Sequence, residues 1–181
     1  MKEEIPLKFA TRLINSGPLA LISVKGEKRD NIMTIAWHTP LSHNPPLVAC
    51  AVGRSNYTFE LIDKAREFVL NIPPAKYIDE AVLCGTESGR DTDKFNEAHF
   101  TKRQARAVDA PIIEECAGHL ELKVRSFSKE EDHSLIISEV VAAYVNKGLF
   151  VNYRWDLTRV NLFHHLGGNM FFATNGKIIY K

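Results

Sequence analysis

Apolar and polar residues alternate in short runs along most of this chain, and the runs end at Gly, Pro or Asn. Side chains alternate across a strand, so a period of two marks half-buried sheet rather than helix. The pattern predicts strands over residues 19–24, 31–38, 47–52, 68–72, 118–127 and 134–144. The last two pair across a polar Ser-Lys-Glu-Glu-Asp-His loop of hairpin character. In the first of them Leu120, Leu122 and Val124 alternate with Glu121, Lys123 and Arg125, the signature of a half-buried strand. A short strand is expected at 170–173. It leads to Asn175-Gly176, a strong hairpin dipeptide, and a return strand at 178–180.

Helical spacing is rarer. Tyr57, Phe59, Leu61, Ile62 and Ala65 suit a helix over 56–65, which Ser55 or Asn56 could cap. Shorter helices are expected over 76–83 and 92–98. Residues 85–115 read as loops and short helices, and loops that long are usually functional. Strands outnumber helices, so the expected class is mainly β with helices inserted. No repeat, low-complexity tract or linker divides residues 1–181, so one domain is expected.

Composition narrows the function. The chain of 181 residues has a formal net charge of +1, with Lys and Arg scattered. A nucleic-acid binder usually shows a basic excess, so none is expected. Three cysteines, far apart and without a CxxC pair, suggest neither a zinc site nor a disulfide framework. The histidines show no HxH or HExxH spacing, so no metal is expected. The Met1-Lys-Glu-Glu-Ile-Pro start does not read as a signal peptide, and no apolar stretch is long enough to span a bilayer. The expected location is cytoplasmic, with no membrane partner.

Five stretches could carry chemistry. Asn31, Met33, Ile35 and Trp37 would share one face of a strand and Ile32, Thr34 and Ala36 the other, so a planar ring could lie along the edge. Taken alone, the stretch reads first as core strand with an interior Trp. Gly53-Arg54-Ser55-Asn56-Tyr57-Thr58 stands at a strand end and a helix start. Arg54 offers a bidentate fork, Ser55 and Thr58 offer hydroxyls, and helix-start N–H groups favour anions. Plain capping by Ser55 or Asn56 explains the stretch about as well. The third stretch runs from Ser88-Gly89 to Lys94-Phe95; Lys94 is a second candidate phosphate cation, although a solvated loop accounts for it alone. Asp132-His133 at the hairpin tip could meet a nucleotide, or His133 could simply be exposed. His164-His165 sits beside Gly167-Gly168, and adjacent strand histidines point apart, a poor metal pair. No Gly-x-Ser-x-Gly elbow, GxGxxG or Walker loop is present.

Six segments in order resemble the flavin reductase-like, FMN-binding split-barrel family, especially its flavoredoxin-like branch. They are Asn31-x-Met33-Thr34-x-x-Trp37, Ser42-x-x-Pro45-Pro46, Arg54-Ser55-x-x-Thr58, Phe68-x-x-Asn71, Ser88-Gly89 with Lys94-Phe95, and Gly167-Gly168. Each alone is weak; the order is specific. The resemblance implies a six-stranded Greek-key split β-barrel with flanking helices, usually a homodimer with FMN near the subunit interface. It implies that Asn31, Met33, Thr34 and Trp37 contact the flavin ring or ribityl chain. Arg54, Ser55, Asn56, Thr58 and Lys94 would hold the phosphate, and Ser88 belongs to the same set. The implied activity is FMN-dependent oxidoreduction. Hydride or electrons would come from NAD(P)H or a protein donor and pass to flavin, a ferric chelate or another acceptor. The alternative is a non-enzymatic FMN-binding electron carrier or flavin store. No catalytic side chain is named; His133 is a candidate nicotinamide contact. One departure stands out: reductases of the family that use NADH often carry Gly-Asp-His where this chain has Glu131-Asp132-His133.

Overall fold

A computed structural model describes residues 18–152 and 154–174. The expected hairpin at Asn175-Gly176, the strand after it and the Met1–Pro6 start lie outside the described residues. The main sheet is antiparallel and has seven strands. They are β1 (Ala20–Val24), β2 (Asn31–Ile35), β3 (His38–His43), β4 (Pro46–Gly53), β5 (Glu67–Ile72), β8 (Gly118–Glu130) and β9 (His133–Val145). Two more strands, β6 (Lys102–Gln104) and β7 (Pro111–Ile113), form a separate ribbon, and so do β10 (Phe150–Val151) with β11 (Arg154–Trp155) and β12 (Phe163–Gly167) with β13 (Met170–Ala173).

The strand order β2-β1-β5-β8-β9-β4-β3 makes β2 and β3 the two edges of the main sheet. Only Ala36 and Trp37 separate them in sequence. Three Cα steps from Ile35 to His38 reach about 11 Å at most, whereas seven flat strands would span roughly 29 Å. The sheet therefore curls until its edges nearly meet, leaving a barrel split between β2 and β3. The expected continuous strand over 31–38 is thus two strands, and the main sheet holds seven strands rather than six. Continuous apolar character across Ile35-Ala36-Trp37 hid the break.

The interior is filled by alternate residues of several strands: Ala20, Ile22 and Val24, Val48, Cys50 and Val52, and Phe68 and Leu70. Helix α1 (Tyr57–Ala65) adds Leu61 and Ile62 to this core. The opposite face of β1 is buried too. Leu19 and Leu21 pack with Ile32 against Ala81 and Cys84 of α2 (Ile78–Thr86) and Phe95 of α3 (Lys94–Glu97). A 3-10 turn (Ala75–Tyr77) leads into α2, which runs past the expected end at residue 83.

Two local expectations change. The β8–β9 loop is a two-residue turn, Glu131-Asp132, because the strands run on through Glu130 and from His133. Glu121 leaves the wet face expected of it and is fully buried. Its carboxylate accepts from the backbone N–H groups of Arg106, Ala107 and Val108 at 2.7, 2.5 and 3.2 Å and from the Tyr144 hydroxyl at 2.8 Å. These bonds offset the cost of burying a charge. Burial pushes its pKa up, but the three N–H donors and the Tyr144 hydroxyl outweigh it and hold the carboxyl below the ordinary value. Alternation within β8 could not show that the 105–108 segment would cover this residue.

Candidate functional site

At the split between the barrel edges lies a cleft of about 430 Å³, a volume in the range of small-molecule sites. One wall is Met33, Thr34, Ile35, Ala36 and Trp37, from β2 and the link to β3. Ala51, Val52 and Gly53, the end of β4, form the floor with Asn56 and His133. Helix α2 closes a side through Ala81, Val82, Gly85 and Thr86, and the β12–β13 hairpin contributes His165, Gly167, Gly168, Asn169 and Phe171.

An edge strand leaves half its backbone N–H and C=O groups without a strand partner. In β2, which pairs only with β1, the edge borders this cleft. The site is therefore an apolar slot with main-chain donors and acceptors along one rim. Small side chains keep the slot open. Ala81, Val82, Gly85 and Thr86 recur on one face of α2, and a Cβ built on Gly85 would already lie 3.2 Å from the Thr34 Cβ.

At one end of the slot, residues 54–56 turn into α1. Asn56 occupies the cap position but makes no side-chain cap bond; its amide donates to the Met33 sulfur at 3.4 Å. No side chain caps the first turn of α1, whose N–H groups and dipole favour an anion. Arg54 and Ser55 are exposed on this turn. The Arg54 backbone N–H donates to the Asp132 carbonyl at 2.9 Å and its guanidinium to the Glu131 carbonyl at 3.2 Å.

Nearby stand Trp37 and His133, ring centroids 5.0 Å apart. Gly53 pairs with His133 across β4 and β9, which brings the hairpin tip beside the turn at residues 54–56. The Asp132 carboxylate meets His133 Nδ1 at 2.7 Å, and this contact holds its pKa below the ordinary carboxylate value. Glu131 has φ +49°, a left-handed conformation that glycine adopts without strain. A glycine at this position would relieve the backbone of that strain.

The sequence-predicted residues fall into three groups. Met33, Thr34, Trp37, Asn56 and His133 line the cleft. Arg54 and Ser55 stand on the turn beside it. Asn31, Thr58 and Lys94 lie behind the wall, nearly fully buried. The Asn31 amide donates to the Thr58 hydroxyl at 2.8 Å and ties β2 to α1. Its Oδ1 is buried without a hydrogen-bond partner. Lys94 Nζ donates to the Cys84 carbonyl of α2 at 2.8 Å; burial lowers its pKa. Ser88 is exposed outside the cleft wall, its hydroxyl accepting from the Arg90 N–H at 3.3 Å. The third stretch acts here as a brace: Gly89 packs so tightly that a Cβ on it would fall 1.9 Å from Asn31 Oδ1.

Sequence reasoning missed Leu19, the α2 wall and the roles of His165, Asn169 and Phe171. The i, i+1, i+4, i+5 row of small residues in α2 was the one available signal. Among the described residues no group of His, Cys, Asp or Glu could hold a metal ion.

Residues 12–161 match the family described as flavin reductase like domain. The chain belongs to the flavin reductase-like family. It is 36% identical over 179 residues to the uncharacterized protein YddH of Escherichia coli (strain K12), covering 96% of this chain and 94% of that protein. A flavin reductase of Pseudomonas putida is 26% identical over 127 residues, 69% of this chain and 70% of its own length. The flavoredoxin of Desulfovibrio vulgaris (Miyazaki F) superposes with a TM-score of 0.85 at 25% identity, covering 100% of this chain and 97% of its own. The mainly β split barrel is thus the fold this family shares. Among the described residues no helix is long and apolar enough to cross a membrane.

Proposed function

We propose that this flavin reductase-like chain binds FMN in the cleft and acts as a flavin-dependent oxidoreductase. One observation carries the reading: an apolar slot along an unpaired strand edge ends at an uncapped helix start beside an exposed arginine that no described carboxylate pairs with. A planar ring with polar edges and an anionic tail needs those features together. Met33 and Trp37 would cover the ring, and backbone groups of the β2 edge would bond its polar rim. Arg54, Ser55 and the first turn of α1 would hold the phosphate. Asn31, Thr58 and Lys94 would fix the walls from behind, and Ser88 would belong to the loop that braces them. Bound FMN would supply the hydride and electron chemistry.

His133 stands where a nicotinamide donor would approach, steadied by Asp132 and Trp37. NAD(P)H is the proposed donor, and free flavin or a ferric chelate the proposed acceptor. Anaerobic mixing of the FMN-loaded chain with NADH and NADPH tests this. Rapid bleaching with either nucleotide supports the enzyme, and no bleaching with both contradicts it. A second reading, an FMN-binding electron carrier, rests on Glu131, which puts a carboxylate and a strained backbone at the turn beside the donor's approach. Exposed Leu41, Val141 and Met170 supply apolar surface for a homodimer, which sedimentation would detect. Three free cysteines suit a reducing compartment such as the cytoplasm.

A further inference from the structure

At the far end of β9 lies a second pocket, of about 320 Å³, unrelated to the cleft. Tyr144 lies eleven residue steps beyond His133 on this strand, roughly 36 Å if extended. The pocket is lined by Arg103, Arg106, His119, Tyr144, Asn146 and Lys147, among others.

Its chemistry is set by a buried network. Asn71 Nδ2 donates to the Leu21 carbonyl at 3.0 Å and the Ser23 hydroxyl at 2.8 Å. Asn71 Oδ1 accepts from the Ile113 N–H at 3.0 Å. The orientation of the amide is therefore fixed, and the His119 ring nitrogen 2.9 Å from Oδ1 must be the protonated one. His119 Nε2 is left as an acceptor with no hydrogen-bond partner among the described residues. The ring is only 4% exposed, and burial lowers its pKa to about 4, so it stays neutral near pH 7.

The cations around it are not all paired. Arg103 is paired with Glu114 at 2.8 Å. Glu121 is saturated by its four donors. Arg106 stacks on the Tyr144 ring, 4.0 Å from its centroid, and no described carboxylate pairs with it or with Lys147. The 105–108 segment that carries Arg106 is pinned by its N–H bonds to Glu121. A neutral acceptor at the base of a pocket rimmed by two unspent cations selects for an anion that also carries an O–H.

We propose that this pocket binds a small oxyanion bearing an acidic proton: inorganic phosphate, or a phosphate monoester in its monoanionic form. Its O–H donates to His119 Nε2, and its charged oxygens accept from Arg106 and Lys147. Sulfate has the charge and shape but no proton to give, and its oxygen would face the His119 lone pair.

Calorimetric titration of the whole chain with sodium phosphate and with sodium sulfate at equal ionic strength tests this. Phosphate should bind saturably, and sulfate about ten-fold more weakly or worse, the loss of one good hydrogen bond. Arg106→Gln and Lys147→Gln, both at exposed positions, should each weaken phosphate about ten-fold. Arg54→Ala, in the flavin cleft, should leave this site unchanged. Phenyl phosphate identifies the source: tighter binding than phosphate assigns a monoester, and exclusion assigns the free ion. Equal affinity for phosphate and sulfate, insensitivity to both cation variants, loss with Arg54→Ala, or no saturable phosphate binding would each overturn the proposal. The cleft reading does not depend on this result.

Discussion

The Asn31 amide and the Thr58 hydroxyl meet at 2.8 Å in the wall behind the cleft. This bond joins the edge strand that would face the flavin ring to the helix that would face its phosphate. Asn31→Ala removes it and leaves the buried Thr58 hydroxyl without this partner, a cost of about 1–3 kcal/mol. A chemical melt should show a lower midpoint, with FMN affinity reduced as the two walls lose register.

Gly89 presses on the same amide. A Cβ there would fall 1.9 Å from Asn31 Oδ1 and 3.2 Å from the Tyr57 ring. Gly89→Ala should therefore destabilise the chain by about 1–3 kcal/mol. Most of that loss should vanish in an Asn31→Ala background, where the obstructing oxygen is gone. A double-mutant cycle measures the coupling; additive effects would refute the packing account.

The strand framework was legible in two ways: strands with one wet face, such as β9, carry a period of two, and β1, buried on both faces, shows as a continuous apolar run. The candidate chemistry was legible in part. Met33, Thr34, Trp37, Asn56 and His133 reach the cleft because each sits on the edge strand β2, on its link to β3, or at a strand or helix end bordering the split. Lys94 was illegible as a brace: a lysine in a charged loop gives no sign that its stem will be buried and its ammonium bonded to the end of α2. Glu121 was hidden for the same reason, since its backbone donors lie 13–15 residues away in sequence. The α2 and β12–β13 walls depend on tertiary placement that local pattern does not carry.

The turn at Glu131 yields a third prediction. Its φ of +49° costs an ordinary residue about 1–2 kcal/mol, partly offset on Glu131→Gly by the greater chain entropy of glycine. A net gain of up to about 1 kcal/mol is expected from thermal melts. If Glu131 also hinders a nicotinamide donor, the same variant should speed anaerobic bleaching by NADH. An unchanged rate would leave the turn without influence on the donor.

His119 predicts a pH dependence. Its pKa falls from 6.5 to about 4 on folding because burial disfavours the charged ring. The unfolded chain thus binds more protons between those values, and stability rises with pH there. The contribution is complete above about pH 6.5 and lost as pH drops toward 4, up to about 3 kcal/mol in all. Melts across that window should show a shallower slope for His119→Gln than for the parent.

The central claim is that the cleft holds FMN, and an equilibrium titration of the flavin-free chain with FMN tests it most directly. The account predicts saturation at one FMN per chain, quenching of Trp37 fluorescence, and about ten-fold or greater weakening by Arg54→Ala, the loss of a charge-assisted phosphate contact. A chain that fails to saturate with FMN, or an Arg54→Ala variant that binds FMN as tightly as the parent, would contradict it.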